Sequence, residues 1–186
     1  MNWRPSRAAW RDGPIAQRDG PVAERDGAGR AVHPADAMLI RPVAHSPHLP
    51  LVAAWLHAEW WAAGGHAPAE TAAFLHRATG PGLPCALVAE RDGVALGTAT
   101  LDVEDLPSRP DLSPWLASVL VAPEFRRQGV ATALVAEVRR RAAALAYPRL
   151  WLFTGGQAAF YASLGWAPEG EERYRGQPVT LMSCVP

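Results

Sequence analysis

The chain contains no lysine, and its 18 arginines are matched by 18 aspartate and glutamate residues, so the formal net charge is zero. A protein with a general affinity for nucleic acid or for an anionic membrane surface needs a basic excess. No apolar run reaches transmembrane length, and the N-terminus lacks the apolar stretch of a signal peptide. We therefore expect a cytoplasmic protein whose partners include neither nucleic acid nor a membrane.

Cysteine is also scarce. The two cysteines, Cys85 and Cys184, form neither a CxxC motif nor the spacing of a zinc site, so we predict reduced thiols and no metal. What the chain does have is apolar residues, at 49% of 186, enough to bury the core of one domain.

Residues 1–36 differ in composition from the rest of the chain. Arg-Asp-Gly occurs three times at seven-residue intervals, beginning at Arg11, Arg18 and Arg25. The units carry glycine and proline but few large apolar side chains, so they cannot form a coiled-coil seam or offset their ordering entropy. We predict a disordered repeat-containing tail, with a folded domain over residues 37–186. The alternative is a short interaction motif carried by the repeat.

Removal of residues 1–36 should therefore leave the melting temperature nearly unchanged, because the segment has little apolar surface to bury. On this view Met38 is the expected natural first residue. Thermal denaturation of the truncated and full chains checks the prediction, and a large drop in Tm on truncation would contradict it.

The remaining pattern predicts an α/β (α+β) domain in the order β-α-α-β-β-β-α-β-α-β-β. Hairpins and crossover helices alternate, so the sheet should be mixed rather than purely parallel. Helices are predicted from Ser46-Pro47, over 69–76, over Gly129–Ala146 and over Gln157–Leu164. Strands are predicted at Met38–Val43, Cys85–Glu90, Val94–Val103, Trp115–Val121, Leu150–Thr154 and Val179–Cys184, the second and third joined by an Asp-Gly turn.

A strand, a basic turn with a glycine and a long helix follow one another at Val119–Ala131. The first backbone N–H groups of a helix have no acceptor within it and lie at the positive end of its dipole, which suits a phosphate. The turn has neither a GxGxxG nor a GxxxxGK[ST] pattern, so an ordinary tight turn is the alternative.

Two motifs resemble those of the GNAT acetyltransferases. Arg126-Arg127-Gln128-Gly129-Val130-Ala131 is similar to the family's R/Q-x-x-G-x-G/A pyrophosphate loop. Phe160-Tyr161-Ala162-Ser163-Leu164-Gly165-Trp166 is similar to its F-Y-x-x-L-G-[FYW] element. Gln157 adds a likeness to a subset of acetyltransferases that act on N-terminal amines and small molecules. The resemblance covers the chain except its tail.

The resemblance implies an acetyl-CoA-dependent transfer of acetyl to a primary amine, by direct attack in a ternary complex. Trp115–Val121 and Leu150–Thr154 would splay apart for the pantetheine arm. A backbone N–H near Leu120 would polarise the thioester carbonyl, and Tyr161 would protonate the departing thiolate. The alternative for Tyr161 is aromatic packing. The implied cofactor-binding residues are Val119, Leu120, Val121, Arg126, Arg127, Gln128, Gly129, Val130, Ala131, Gln157 and Phe160.

The general base is less evident. Some family members use a glutamate about eleven residues before the loop's first arginine or glutamine, and that position is Trp115 here. We predict Glu59, which borders the apolar face of the first helix. Asp111, His57, His66 and a water relay are the alternatives.

The acceptor is predicted to meet Trp60, Trp61, His66 and Trp115, with Arg173 and Arg175 on a facing hairpin. A polyamine, an antibiotic, an amino acid or a protein N-terminus would each fit, and the protein would be a monomer or homodimer. Two other classes stay open: a catalytically degenerate acyl-CoA sensor or scaffold, and a nucleic-acid adaptor using Arg139–Arg141.

Overall fold

The computed structural model describes residues 38–186, and the predictions for residues 1–36 lie outside this range. Helices are α1 (Leu49–Leu56), α2 (Pro68–Arg77), α3 (Val130–Ala144) and α4 (Ala158–Ser163). Strands are β1 (Leu39–Pro42), β2 (Cys85–Arg91), β3 (Val94–Asp102), β4 (Trp115–Val121), β5 (Leu150–Thr154), β6 (Ala167–Tyr174) and β7 (Gln177–Cys184). The predicted order of elements is confirmed.

The strands form one mixed seven-stranded sheet in the order β1-β2-β3-β4-β5-β7-β6. All neighbours are antiparallel except β4 and β5, which are parallel. The predicted β2–β3 turn is confirmed: Asp92 and Gly93 have φ of 51° and 75°, as the two central residues of a type I′ hairpin turn require.

The start of α1 differs from the prediction. The helix begins at Leu49, not at Ser46-Pro47. The Ser46 hydroxyl accepts a hydrogen bond from the His48 backbone N–H at 3.1 Å, and residues 43–45 form a 3-10 turn before it. The serine side chain therefore stabilises the turn at 46–48 that leads into the helix, and Pro50 enters the first helical turn, where a proline costs no hydrogen bond.

Helices cover both faces of the sheet. Helix α3 buries Val130, Leu134 and Val138 against one face. Helices α1 and α2 cover the other face, where Ala86 and Val88 of β2 lie against them. Strand β2 is therefore buried on both sides, which explains its nearly continuous apolar sequence.

The central strands β4 and β5 meet at one end only. Trp115 and Trp151 are their single registered pair, and the Trp151 N–H donates to the Pro114 carbonyl at 3.0 Å. From that pair the strands diverge toward Val121 and Thr154. The sheet thus opens in its middle, as the resemblance implied, and the opening positions the site described next.

Candidate active site

A cavity of about 600 Å³ fills the gap between β4 and β5 and extends to the start of α3 and to α4. Its wall brings together residues that are far apart in the sequence. Of the predicted site residues, those on the wall are Glu59, Trp60, Val119, Leu120, Val121, Arg126, Arg127, Gly129, Val130, Ala131, Gln157, Phe160 and Tyr161.

A β-bulge shapes the β4 side of the cavity. Thr98 pairs with Leu120, but Thr100 pairs with Ala117, so β4 carries one extra residue within this interval. Ser118, inside the bulge, has φ of 54°, a left-handed conformation that non-glycine residues rarely adopt. The bulge bends β4 where it leaves β5.

The main-chain groups beyond the bulge alternate between β3 and the gap. The Ala122 N–H donates to the Leu96 carbonyl of β3 at 3.0 Å, whereas the Val121 carbonyl accepts from Arg126 Nε at 3.3 Å. By this alternation the groups of Val119 and Val121 face the gap, and those of Leu120 face β3. The backbone N–H groups near Leu120 that face the gap are therefore those of Val119 and Val121.

Gly97 of β3 permits this close approach. A Cβ atom at position 97 would lie 2.6 Å from the Leu120 carbonyl oxygen, a distance that real Cβ atoms essentially never show, and 3.2 Å from the Val121 Cα, which is tighter than most real contacts. Only glycine fits without moving β4.

Gly97→Ala should therefore lower the free energy of unfolding by about 1–3 kcal/mol, the usual cost of overpacking. Urea denaturation measures it. Gly82→Ala is the matched control, because a Cβ there meets nothing within 4 Å. Equal stability of the two variants would show that β4 accommodates the methyl group freely.

The loop before α3 has the geometry of an anion site. Gly129 is the N-cap of α3, with φ of 79°, and Arg127 also has a positive φ of 61°. A Cβ at Gly129 would meet no atom within 4 Å, so the backbone here borders open space. The first backbone amides of the 15-residue helix α3 therefore border the cavity. Because Gly129 has no side chain, the space in front of them stays open.

The Gln128 side chain does not lie on the cavity wall. Its Nε2 donates to the Glu124 carbonyl at 3.0 Å, which ties the exposed turn to itself. Its predicted contribution is thus limited to the backbone of the loop.

Tyr161 of α4 enters the cavity from the side opposite β4. Its ring packs edge-on against Phe160 and Trp166, at centroid distances of 5.0 Å and 6.1 Å. Burial, and secondarily the negative charge of Asp105, hold the pKa of the phenol well above its usual value. The hydroxyl therefore stays protonated at neutral pH, and the same side chain both packs against its neighbours and lines the cavity.

A π-helical turn, His57–Trp61, follows α1 directly and carries Glu59 and Trp60 to the wall. One residue more per turn shifts the faces of the helix relative to the predicted 3.6-residue period. The same turn sends the adjacent Trp61 into the protein.

Three residues that were predicted to contact the acceptor, Trp61, His66 and Trp115, have other partners in the structure. Trp61 is 1% exposed and packs against the rings of His66 and Phe74. The His66 ring nitrogen lies 3.2 Å from a carboxylate oxygen of Glu70. Trp115 is fully buried, and its indole N–H donates to the Leu112 carbonyl at 2.8 Å. None of the three lies on the cavity wall.

The alternative bases are likewise placed elsewhere. Asp111 is exposed and ion-paired with Arg109 at 2.8 Å, and that hydrogen bond lowers the pKa of its carboxyl group. His57 Nδ1 lies 3.4 Å from the Thr71 hydroxyl. Of the predicted bases, Glu59 alone lies on the wall.

Sequence reasoning missed one acidic residue of the cavity. Asp105 follows β3 and lies on the wall, within electrostatic range of Tyr161. The signal was the run of three acids in the segment 102–105, which precedes the proline-rich connection. Phe153 and Thr154 of β5 also line the gap, as the ends of diverging strands must.

The arginine run Arg139–Arg141 has intramolecular partners. Arg139 donates to the carbonyls of Leu164 and Val185 at 2.9 Å and 3.1 Å. Arg140 and Arg141 both bond to the Glu137 carboxylate. The Arg139 bonds hold α3 against the end of α4 and the C-terminal segment, whereas the bonds to Glu137 stay within α3.

No helix within residues 38–186 is long and apolar enough to cross a membrane. The same range holds no group of three or more His, Cys, Asp or Glu side chains arranged for a metal ion. Cys85 and Cys184 are free and buried in strands, as predicted.

The family model described as the acetyltransferase (GNAT) family matches residues 50–166, which is more than half of the 186-residue chain. The protein therefore belongs to the GNAT acetyltransferase family. None of the curated proteins matches the sequence.

Solved structures show the same fold at low sequence identity. A GNAT-family acetyltransferase from Streptococcus pneumoniae matches with a TM-score of 0.62 and 21% identity, over 80% of this chain and 99% of that one. The spermidine/spermine N-acetyltransferase SpeG from Vibrio cholerae, in mutant forms, gives 0.61 and 15%, over 80% and 95%. An aminoglycoside 6′-acetyltransferase type Ii gives 0.61 and 17%, over 79% and 96%.

Proposed function

We propose that the protein is an acetyl-CoA-dependent N-acetyltransferase that acetylates a primary amine by direct attack in a ternary complex. The observation that carries this proposal is the single registered pair between β4 and β5, beside a helix start that opens at Gly129. A cavity of about 600 Å³ joins the two features, with room for an extended ligand.

The residues present fit the pyrophosphate and the pantetheine arm of acetyl-CoA. The backbone of 127–131, at the positive end of α3, would hold the pyrophosphate, and Gly129 leaves that space open. The gap-facing main-chain groups of Val119 and Val121 would pair with the amides of the pantetheine arm. When bound, acetyl-CoA supplies an acetyl group activated as a thioester.

The chain then orients the reactants and moves protons. Backbone N–H donors of β4 that face the gap would stabilise negative charge on the thioester oxygen. Tyr161, protonated at neutral pH, would donate its hydroxyl proton to the sulfur. Neither buried cysteine lies on the cavity wall, which favours attack by the amine itself over a cysteine nucleophile.

An acetyl-transfer screen with the full chain tests the proposal. Release of free thiol from acetyl-CoA is followed over a panel of amines, and acetylated products are identified by mass spectrometry. The panel begins with polyamines and aminoglycosides, the acceptors named for two of the similar structures, and adds amino acids and peptide N-termini.

Three outcomes separate the candidates. Transfer to an amine in the panel supports the enzyme. Acetyl-CoA binding by calorimetry without transfer to any amine would favour the sensor or scaffold. Absence of both binding and transfer would contradict both functions.

A further inference from the structure

The charged groups on the cavity wall fall into two sets. Arg126 and Arg127 belong to the loop before α3, where phosphate would lie. The two carboxylates of the wall come from other elements, Glu59 from the π turn after α1 and Asp105 from the segment after β3. A carboxylate is the natural partner of an amine that arrives as an ammonium ion near neutral pH. The candidate partners of the acceptor amine on the wall are therefore Glu59 and Asp105.

Tyr161 distinguishes the two carboxylates. Both carboxylates line the cavity, and the negative charge of Asp105, after burial, helps to raise the pKa of the Tyr161 phenol. Because Coulomb interactions weaken with distance, this influence places Asp105 in the neighbourhood of the phenol. Asp105 is also half-buried, whereas Glu59 is exposed. If the Tyr161 hydroxyl faces the thioester sulfur, Asp105 lies beside the same reacting atoms.

We propose that Asp105 is the general base, which accepts the proton that the acceptor nitrogen loses as its bond to the acetyl carbon forms. This inference rests on the proposed function. The ammonium first loses one proton to water, which frees the lone pair for attack. The new nitrogen–carbon bond makes the remaining N–H protons acidic, so a carboxylate can take one of them.

The protons and electrons balance without a further reactant. As the nitrogen–carbon bond forms, the carbon–sulfur bond breaks and its electron pair leaves with sulfur. Sulfur takes the hydroxyl proton of Tyr161, and Asp105 takes the proton from nitrogen. Asp105 then returns its proton to water, and Tyr161 recovers one from water, so both side chains regain their starting states.

The assignment predicts a dependence on amine basicity. With n-butylamine, Asp105→Asn should lower kcat about 100-fold, within the usual range for general base catalysis. With 2,2,2-trifluoroethylamine the loss should be much smaller, because its nitrogen becomes acidic enough during attack to release the proton to water. The acetyl-CoA Kd, measured by calorimetry, should stay within about twofold. Asp105→Glu, which keeps the carboxylate, should recover part of the activity.

Two further variants complete the experiment. Glu104→Gln is the matched control, since Glu104 precedes Asp105 but does not lie on the wall, and it should behave as wild type. Glu59→Gln tests the rival base.

Asp105→Asn within twofold of an active wild type, or a large loss in Glu59→Gln alone, would overturn this inference and leave the proposed function standing. An equal loss in Asp105→Asn and Asp105→Glu, together with a lower Tm, would show a purely structural role and also overturn it. A wild type that acetylates no amine would overturn the proposed function as well.

Discussion

Gly129→Glu should raise the Kd for acetyl-CoA by at least about 100-fold, roughly 2.7 kcal/mol of binding free energy. A side chain at this position would project into open space, because nothing lies within 4 Å of its Cβ. That space is where the loop backbone and the start of α3 would receive the pyrophosphate. The glutamate would occupy it with bulk and with charge of the same sign as the ligand. Isothermal titration calorimetry with acetyl-CoA measures the loss.

The conformation of Gly129 calls for a control that shares its strain. Gly176 has φ of 80°, against 79° at Gly129, and its Cβ would also meet nothing within 4 Å. It lies in the β6–β7 turn and does not itself line the cavity. Gly176→Glu should therefore lose similar stability from the left-handed backbone, about 1–2 kcal/mol, but bind acetyl-CoA normally. Unchanged affinity in a folded Gly129→Glu variant would mean that the loop is only a turn.

Tyr161→Phe should lower kcat by about 10²–10⁴-fold while acetyl-CoA affinity and Tm change little. The phenylalanine ring keeps the edge-on contacts with Phe160 and Trp166, so packing is preserved. Only the hydroxyl is removed, and with it the proton that the thiolate would take. Coenzyme A thiolate is a fairly good leaving group, which puts the expected effect toward the lower end. Steady-state kinetics with an acceptor found by the screen measures kcat.

Tyr147→Phe removes a hydroxyl elsewhere and serves as the control. Tyr147 lies between α3 and β5 and does not line the cavity, so its variant should match wild-type turnover. Turnover of Tyr161→Phe within twofold of wild type, with chemistry limiting the rate, would remove Tyr161 from the mechanism.

The order of helices and strands was predictable because each element carries a local signal. The hydrophobic period marks α3, and Asp92-Gly93 fixes a hairpin whose φ values the structure confirms. The start of α1 was wrong because Ser46 bonds to the next turn instead of capping the helix. A side chain that can cap or turn the backbone is ambiguous until its neighbours are known.

Residues on the cofactor side of the cavity were easier to predict from the sequence than residues on the acceptor side. The loop at 126–131 and Phe160–Tyr161 are contiguous motifs, and their residues other than the Gln128 side chain reach the wall. The tryptophans were not separable by sequence: Trp60 lies on the wall and Trp61 in the core. The two neighbours point to different sides because the π turn changes the number of residues per helical turn, and the sequence composition does not reveal such a turn.

Asp105 was missed for a different reason. It lies in an irregular connection, where no periodicity assigns a face. Its significance comes from α4, more than fifty residues later, which places Tyr161 within range of its charge. Such a pairing is a property of the tertiary fold and not of any window of sequence.

Because β4 and β5 pair at one position, the sheet behaves as two shorter sheets joined at a single point: four strands from β1 to β4, and three from β5 to β6. Each half ends in an inner edge, β4 or β5, along which the two strands do not pair with each other beyond Trp115 and Trp151. An extended ligand that pairs with such an edge would act as an eighth strand and close the seam. Amide hydrogen exchange at Val119, Val121 and Phe153 should then slow when ligand binds, while exchange in β2 stays as slow as before.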